Sequence, residues 1–170
     1  MSLHIRPEKP QDIPEIHRLH VAAFGGPGEA RLVDALRAAD ALTVSLVAEE
    51  GGAVIGHIAF SPLEIIVEDG TTRGLALAPV GILPAHQRRG IGSRLIKAGL
   101  DEARRLGWEI VIVLGHHDYY PRFGFVTAKP HGILCPFEVP DEAFMVLELQ
   151  SGSMARHHGM VKYHAAFSAL

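Results

Sequence analysis

The stretch Val80-Gly-Ile-Leu-Pro-Ala-His-Gln-Arg-Arg-Gly-Ile-Gly-Ser-Arg-Leu-Ile96 decides how this chain folds, because it predicts a strand, a tight basic turn and a helix in succession. Residues 75–82 are apolar except for one glycine, as expected of a buried strand. Pro84 and the polar residues after it end that strand. From Gly92 to Leu106, apolar residues recur at helical spacing, which predicts a helix directly after the turn.

The turn has the composition of an anion-binding site. The first N–H groups of a helix have no intrahelical acceptor and carry partial positive charge, so they attract anions. Gly90 and Gly92 leave those amides accessible and permit a left-handed backbone. Residues 87–105 carry a charge of +4 in a chain of net charge −3, which leaves −7 on the rest. A basic island in an acidic chain favours a small anionic ligand over a polyanion.

Two common phosphate-binding motifs do not fit this turn. A dinucleotide-binding G-x-G-x-x-G would need glycine where Leu95 stands, and the phosphate loop G-x-x-x-x-G-K-[ST] is absent. What remains is Gln87-x-x-Gly90-x-Gly92 after a strand that ends at Ile82. These residues alone leave open a surface turn that merely caps a helix.

The Gln-x-x-Gly-x-Gly pattern resembles the acyl-CoA signature of the GNAT superfamily of N-acyltransferases, and its defining positions match in full. The order of predicted elements also resembles that fold from end to end. The resemblance implies one α/β (mixed α+β) domain over residues 1–170, with helices on both faces of a central sheet. That sheet is mixed and mostly antiparallel, with about six to seven strands, and the crossover after Ile82 makes one strand pair parallel.

Hydrophobic periodicity and turn residues set the predicted elements. A first helix has Asp12 as a candidate N-cap and ends at Phe24, a second spans Glu29–Ala39, and Glu49-Glu50-Gly51-Gly52 predicts a hairpin turn. Around Val161 we expect a final edge strand or an ordered tail. The predicted strands are His4–Arg6, Thr43–Ala48, Ala53–Phe60, Leu75–Ile82, Glu109–Leu114, Gly124–Ala128 and Phe144–Leu149. Leu63–Val67 continues the extended chain after Phe60.

The resemblance implies acetyl-CoA as co-substrate, held largely by backbone groups. The end of the central strand would pair with the pantetheine arm like an added strand, and one of its amides would polarise the thioester carbonyl. The turn and the first helical residues would hold the pyrophosphate. The cofactor-binding residues implied are Val80, Gly81 and Ile82 on the strand, and Gln87, Arg88, Arg89, Gly90, Ile91, Gly92 and Ser93 on the turn and helix.

A second motif follows the strand that ends at Leu114. Tyr120, with the Phe-Gly-Phe of residues 123–125, resembles the family's Tyr-x-x-(Leu/Phe)-Gly-Phe, a short helix that closes the cofactor cleft. The resemblance implies that Tyr120 is the general acid that protonates the departing CoA thiolate. A phenol with an unperturbed pKa of about 10 holds its proton at neutral pH. The alternative is an aromatic plug whose hydroxyl bonds to backbone.

The chain departs from the family pattern in two places. Val113 stands where many members have a cofactor-contacting asparagine, and residues 75–82 contain no acid to serve as general base. A base is unnecessary if the amine has a low pKa or loses its proton through water. The candidate bases left open are Glu49, Glu50, His57, His116, His117 and Asp118.

Composition excludes several classes of protein. With a pI near 6.4, nucleic-acid binding is not expected, and no apolar run approaches the length of a membrane span. The chain has one cysteine and no signal-peptide pattern, so a cytoplasmic protein is expected, as a monomer or homodimer. The 11 histidines show no ligand spacing of a metal site, so no metal is expected.

The sequence thus predicts an acetyl-CoA-dependent N-acetyltransferase in which a primary amine attacks the thioester directly, with the amine unidentified. The alternative is a non-catalytic acyl-CoA-binding module on the same fold. Such a module would keep the Gln87–Gly92 turn and gain nothing from Tyr120.

Overall fold

The computed structural model describes residues 2–170, apart from the side chain of Ala169. Its longer elements in chain order are β1 Leu3–Pro7, α1 Ile13–Phe24, α2 Gly28–Ala38, β2 Val44–Glu50, β3 Ala53–Val67, β4 Gly70–Ile82, α3 Ile91–Arg105, β5 Ile110–Leu114, β6 Val126–Thr127, β7 Ile133–Leu134, β8 Phe144–Glu148 and β9 Gly159–Lys162. Short 3₁₀ segments lie between them, at Pro10–Asp12, Pro84–His86, Tyr120–Phe123, Lys129–His131, Asp141–Ala143, Ser153–Arg156 and Ala165–Ala169.

Within residues 2–170, nine strands form one sheet in the order β1-β2-β3-β4-β5-β8-β6, with β9 paired to β3 and β7 paired to β9. The β4–β5 and β7–β9 pairs are parallel, whereas β1–β2, β2–β3, β3–β9, β5–β8 and β6–β8 are antiparallel. This confirms the mixed, mostly antiparallel sheet and the parallel crossover. The sheet has more strands than the predicted six to seven, because the two-residue β7 is too short to show a periodic pattern and β9 was predicted as either an edge strand or an ordered tail. The short β6 lies within the predicted strand Gly124–Ala128.

The chain divides into two compact units. The first runs to Ser61 and also contains Ala78–Glu102 and Ala165–Leu170, and the second contains Pro62–Leu77 and Ala103–His164. The expectation of one domain over residues 1–170 stays a prediction.

In the first unit, α1 and α3 pack on opposite faces of the sheet. A Cβ on Gly81 of β4 would lie 2.6 Å from Nδ1 of His20 on α1. A Cβ on Gly56 of β3 would lie 3.2 Å from Leu95 on α3. The next residue on β3, His57, hydrogen-bonds to His20, since successive strand residues face opposite ways. Helices therefore cover both faces, as predicted.

In the second unit, the core is built on β5, whose residues 110–113 are buried. Gly74 on β4 allows close approach, because a Cβ there would lie 2.8 Å from Ile110. The β5–β8 register pairs each residue from Ile110 to Leu114 with one from Glu148 back to Phe144. This packing fixes the end of β5, from which the chain continues to the 3₁₀ segment of Tyr120.

Two local predictions differ from the structure. Asp12 stands at the N-cap position of α1 but makes no capping bond. Its carboxylate accepts instead from the Arg6 guanidinium and the Lys9 N–H, each at 2.7 Å, because a charged donor on β1 is a stronger partner. Glu49 and Glu50 belong to β2, and the hairpin turn is made by the glycine pair at 51–52, both with positive φ.

Candidate active site

Helix α3 begins directly after a turn with two left-handed residues, Arg88 (φ +66°) and Gly90 (φ +78°). The N–H of Arg94 donates to the Gly90 carbonyl at 3.1 Å and closes the first helical turn. A Cβ on Gly90 would meet nothing within 4 Å, so the backbone angle is what favours glycine here. The amides before Arg94 lie at the positive end of a 15-residue helix, where an anion is stabilised.

Gln87 positions this turn. Its side-chain Nε2 donates to the Ile82 carbonyl at 3.0 Å, which ties the turn to the end of β4. At the other end of the turn, Ile91 is 3% exposed and anchors the helix start in the core. The structure therefore brings together two predicted segments, the end of β4 and the Gln87–Gly92 turn, and holds both in place.

The two arginines of the turn differ in their surroundings. Arg89 donates to both carboxylate oxygens of Glu50 on β2, at 2.6 and 3.1 Å, and lies 2.8 Å from Nδ1 of His86. The Arg89 guanidinium lowers the pKa of the Glu50 carboxyl. Arg88 is exposed and forms no such pair among residues 2–170. Glu50 thus neutralises part of the positive charge of the turn that the sequence assigns to anion binding.

Strand β4 continues beyond its pairing with β5. The parallel ladder joins Leu75 to Val111 and Ala76 to Ile112 and ends there, whereas β4 runs on to Ile82. The predicted pantetheine-binding residues lie in this continuation. Their middle member, Gly81, is buried under the ring of His20.

Tyr120 lies in the second unit, at the start of the predicted short helix, which is a 3₁₀ segment. Its side chain is 9% exposed and packs edge-on against Phe125, with centroids 5.7 Å apart. Gly115 allows the ring to sit this close to the chain, since a Cβ there would lie 2.5 Å from Tyr120 Cε2. The ring is therefore held firmly in one place.

The Tyr120 hydroxyl differs from that of a plain aromatic plug. Within residues 2–170 it makes no hydrogen bond, and it is not fully buried, because the buried side-chain polar atoms without a partner in that range are His20 Nδ1 and Ser61 Oγ. Burial, followed by the neighbouring Tyr119, raises the pKa of Tyr120 to about 12. The phenol is thus a protonated donor that the rest of the described chain does not use.

Most of the candidate bases are ion-paired or solvent-exposed. Glu49 accepts from Arg6 at 2.6 Å, and Glu50 is paired with Arg89. Residues 116–118 are exposed in the segment before Tyr120. Val113 is 2% exposed within β5 and belongs to the core. Of the candidates, His57 alone is completely buried.

His57 belongs to a chain of hydrogen bonds that the sequence did not reveal. Its Nδ1 lies 2.8 Å from Nε2 of His20, and its Nε2 lies 2.8 Å from Oγ of Ser45. The Ser45 hydroxyl in turn donates to a carboxylate oxygen of Glu8, which Arg37 binds through two further bonds of 2.9 and 3.0 Å. We call His20, His57, Ser45 and Glu8 the histidine chain.

Burial determines the protonation of the two rings. Desolvation, followed by the charge of His17, lowers the pKa of His20 to about 4. Desolvation also holds the pKa of His57 well below its usual value. Both rings are therefore neutral at physiological pH, each with one N–H. In the sequence, His20 lies on the apolar face of the first predicted helix. Helical periodicity does not distinguish such a histidine from an ordinary core residue.

No group of three or more His, Cys, Asp or Glu within residues 2–170 could hold a metal ion. No helix in that range combines the length and apolar character needed to cross a bilayer.

Comparisons of the sequence and of the structure with known proteins both give matches to acetyltransferases. A family model described as an acetyltransferase (GNAT) domain matches residues 4–128. The N-acetyltransferase YhbS of Escherichia coli K12 is 35% identical over 165 residues, which cover 96% of this chain and 98% of YhbS. The crystal structure of E. coli YhbS in complex with CoA has a TM-score of 0.92 at 33% identity, covering 99% of this chain and 93% of that one. A GNAT acetyltransferase from Brucella melitensis, crystallised with acetyl-CoA, has a TM-score of 0.82 at 42% identity, covering 98% of each chain.

Proposed function

Since the chain belongs to the GNAT acetyltransferase family, we propose that it moves the acetyl group of acetyl-CoA to a primary amine by direct attack on the thioester. The observation that carries this proposal is the start of α3, where left-handed Gly90 precedes the first helical amides beside the end of β4. The similar proteins crystallised with CoA and acetyl-CoA support the choice of cofactor.

The pyrophosphate is assigned to the backbone amides of Gln87–Gly92, together with Ser93. Helix N-termini bind such groups through N–H donors and the helix dipole, without a dedicated side chain. Arg88 adds positive charge to this site. Arg89 adds less, because Glu50 already binds its guanidinium.

The pantetheine arm and the thioester are assigned to Val80, Gly81 and Ile82. These residues follow the end of the β4–β5 ladder, so that an extended ligand can pair with the strand as a further strand would. An N–H from this segment would then donate to the thioester oxygen. Preorganised donors of this kind stabilise the oxyanion that forms during acyl transfer.

In the reaction, the amine nitrogen attacks the acetyl carbon and the C–S bond then breaks. The departing thiolate takes a proton from the Tyr120 hydroxyl, and the amine nitrogen loses one. A pKa of about 12 lies above the roughly 8.5 of an ordinary thiol, so full proton transfer to sulfur requires that the C–S bond is broken and that the thiolate is desolvated, which raises the pKa of the thiol. We therefore assign Tyr120 a hydrogen bond to sulfur that becomes proton transfer late in the step.

The test is CoA release by the native protein with acetyl-CoA and a panel of primary amines, compared with Tyr120→Phe. We expect turnover to fall about 10- to 100-fold while acetyl-CoA affinity, measured by calorimetry, is unchanged. Tyr119→Phe is the matched control, with the same atom removed one residue earlier. Equal turnover in both variants would remove the acid role from Tyr120. Binding without turnover of any amine would favour the non-catalytic module.

The acidic balance outside residues 87–105, −7 in total, favours a cationic acceptor. The amine panel should therefore include polyamines and lysine-containing peptides beside neutral amino-acid amides. A preference for the cationic members that weakens with added salt would support this part of the proposal.

A further inference from the structure

The hydrogen bonds of the histidine chain all run the same way, with each member donating to the next one towards Glu8. Glu8, at the outer end of the chain, determines this direction. The carboxylate of Glu8 accepts hydrogen bonds and is bound by Arg37, so the Ser45 hydroxyl donates to it. The Ser45 oxygen then accepts from His57, which places the hydrogen of His57 on Nε2 and leaves Nδ1 as an acceptor. His20 must therefore donate from its own Nε2.

This direction leaves Nδ1 of His20 as an unprotonated nitrogen at the inner end of the chain. It is fully buried and has no hydrogen-bond partner within residues 2–170. It also lies against Gly81, where a Cβ would approach it to 2.6 Å. Buried polar atoms without a partner are rare in native proteins. An unprotonated imidazole nitrogen beside a candidate reaction site is able to accept a proton during the reaction.

We propose that the histidine chain is a proton relay, which takes the proton released by the attacking amine at Nδ1 of His20 and delivers it to Glu8. The relay rests on the proposed acetyl transfer and supplies the base that β4 lacks. Because His20 has no exposed surface, the relay requires an internal water molecule between the amine and Nδ1.

The steps conserve atoms and charge. The ammonium formed by attack loses one proton to His20 Nδ1, and His20 passes its Nε2 hydrogen to Nδ1 of His57. His57 passes its Nε2 hydrogen to Ser45, and the Ser45 hydroxyl hydrogen goes to Glu8. One proton has then moved from the amine to a carboxylate with 19% side-chain exposure, from which water can remove it.

The surroundings suit a relay that holds no permanent charge. The charged and titratable groups around the two rings are His17 on α1, Asp34 and Arg37 on α2, and Asp12 and Glu8 from the segment between β1 and α1. Low pKa values keep both rings neutral, so the proton passes through them and does not rest there. Phe24, 44% exposed, stacks on the ring of His20 with centroids 5.9 Å apart.

The first experiment determines the direction of the chain without any substrate. Two-bond ¹H–¹⁵N correlation spectra of the ligand-free protein near neutral pH report which ring nitrogen of each histidine carries hydrogen. We expect hydrogen on Nε2 of both His20 and His57. Hydrogen on Nδ1 of His20, or a charged ring at either position, would overturn the relay, whatever the enzymatic activity.

The second experiment interrupts the relay at Ser45. Ser45→Ala should lower kcat/KM for the best amine of the panel about 10-fold near neutral pH, with the KM for acetyl-CoA nearly unchanged. The loss should shrink as the pH rises, since hydroxide then removes the proton. Ser61→Ala is the control for removing a serine hydroxyl in the same unit, because Ser61 is fully buried, whereas Ser45 is half-buried, and the Ser61 hydroxyl has no partner within residues 2–170.

The outcomes separate the two proposals. Native protein that acetylates no amine refutes the proposed function and the relay with it. Active protein in which Ser45→Ala has no effect, loses the same factor at every pH, or matches Ser61→Ala refutes the relay alone. A pH-dependent loss confined to Ser45→Ala supports both.

Discussion

Two polar regions adjoin the end of β4, and they are built in opposite ways. The Gln87–Gly92 turn is largely exposed and has two left-handed residues, Arg88 and Gly90, ahead of the first amides of α3. The histidine chain is largely buried, uses side chains and owes its order to a carboxylate at its outer end. One region suits a ligand that arrives from solvent, and the other suits a proton that leaves through the protein.

The difference also governs what each region tolerates. Water screens and replaces the interactions of the exposed turn, so single side chains there matter little and the backbone matters most. The buried chain has no such replacement, because an unpaired polar group in the interior keeps its full desolvation cost. We therefore expect free-energy changes that decrease in size from the backbone of the turn, through the burial of His20 and the packing against it, to the surface charge of the turn.

The largest effect is expected from changing the turn's backbone. Gly90→Asp puts a side chain and a negative charge on a left-handed residue in front of the helix amides. Losing two charge-assisted hydrogen bonds to phosphate, at about 2 kcal/mol each, would weaken CoA binding about 1000-fold. Gly107→Asp is the control, since Gly107 has φ +90° and open space at the other end of α3. Calorimetry that shows equal losses in the two variants would move the phosphate site elsewhere.

A smaller effect is expected from the burial of His20. Its pKa is about 4 in the folded protein and near 6.5 when unfolded, so the unfolded state binds the proton first as the pH falls. The contribution of His20 to stability is complete above about pH 6.5 and declines by about 3 kcal/mol as the pH falls to about 4. Urea unfolding across this window should show the decline. His20→Gln should flatten it, whatever the variant's stability at neutral pH.

His4→Gln serves as the control for that titration. His4 is exposed on β1, so water surrounds its ring in both the folded and the unfolded state. The native pH slope should persist in this variant. A slope that survives in His20→Gln as well would mean that other groups dominate acid unfolding.

How much the sequence could predict follows from the same contrast. The turn lies within six consecutive residues, so the spacing of Gln87, Gly90 and Gly92 was a local signal, which indicated the family once the order of predicted elements was added. The periodicity of α3 and the β-branched run of β5 were likewise local signals. The short strand β7 was not separable from loop, because two residues carry no period, whereas β6 lies inside the predicted strand Gly124–Ala128.

The histidine chain could not be predicted in this way. Its members lie at positions 8, 20, 45 and 57 on four separate segments, and only tertiary packing brings them together. His20 looked like part of an apolar helix face, and Ser45 like any polar strand residue. The direction of the chain depends on Arg37 holding Glu8, which is a further long-range contact.

Packing against His20 gives a prediction of intermediate size. Gly81→Ala and Gly74→Ala both add a methyl group to β4, at 2.6 Å from His20 Nδ1 and 2.8 Å from Ile110 respectively. Each should destabilise the protein by about 1–3 kcal/mol, as overpacking usually does. Gly81→Ala alone should displace His20 and shift the ¹⁵N resonance of its Nδ1. An unchanged His20 resonance in Gly81→Ala would mean that Gly81 itself moves, leaving the chain intact.

The smallest effect on CoA affinity is expected from removing a charged side chain of the turn. Arg89→Gln removes a full positive charge from the turn, yet that guanidinium is already held by Glu50 at 2.6 Å in an exposed setting. CoA affinity should fall by less than about threefold, within the range of a solvent-screened ion pair. Arg88→Gln is the matched neighbour and should cost somewhat more at low salt, with the difference vanishing as salt is raised. A tenfold loss confined to Arg89→Gln would show that its guanidinium leaves Glu50 for the phosphates. The exposed turn would then resemble the buried chain in depending on a single side chain.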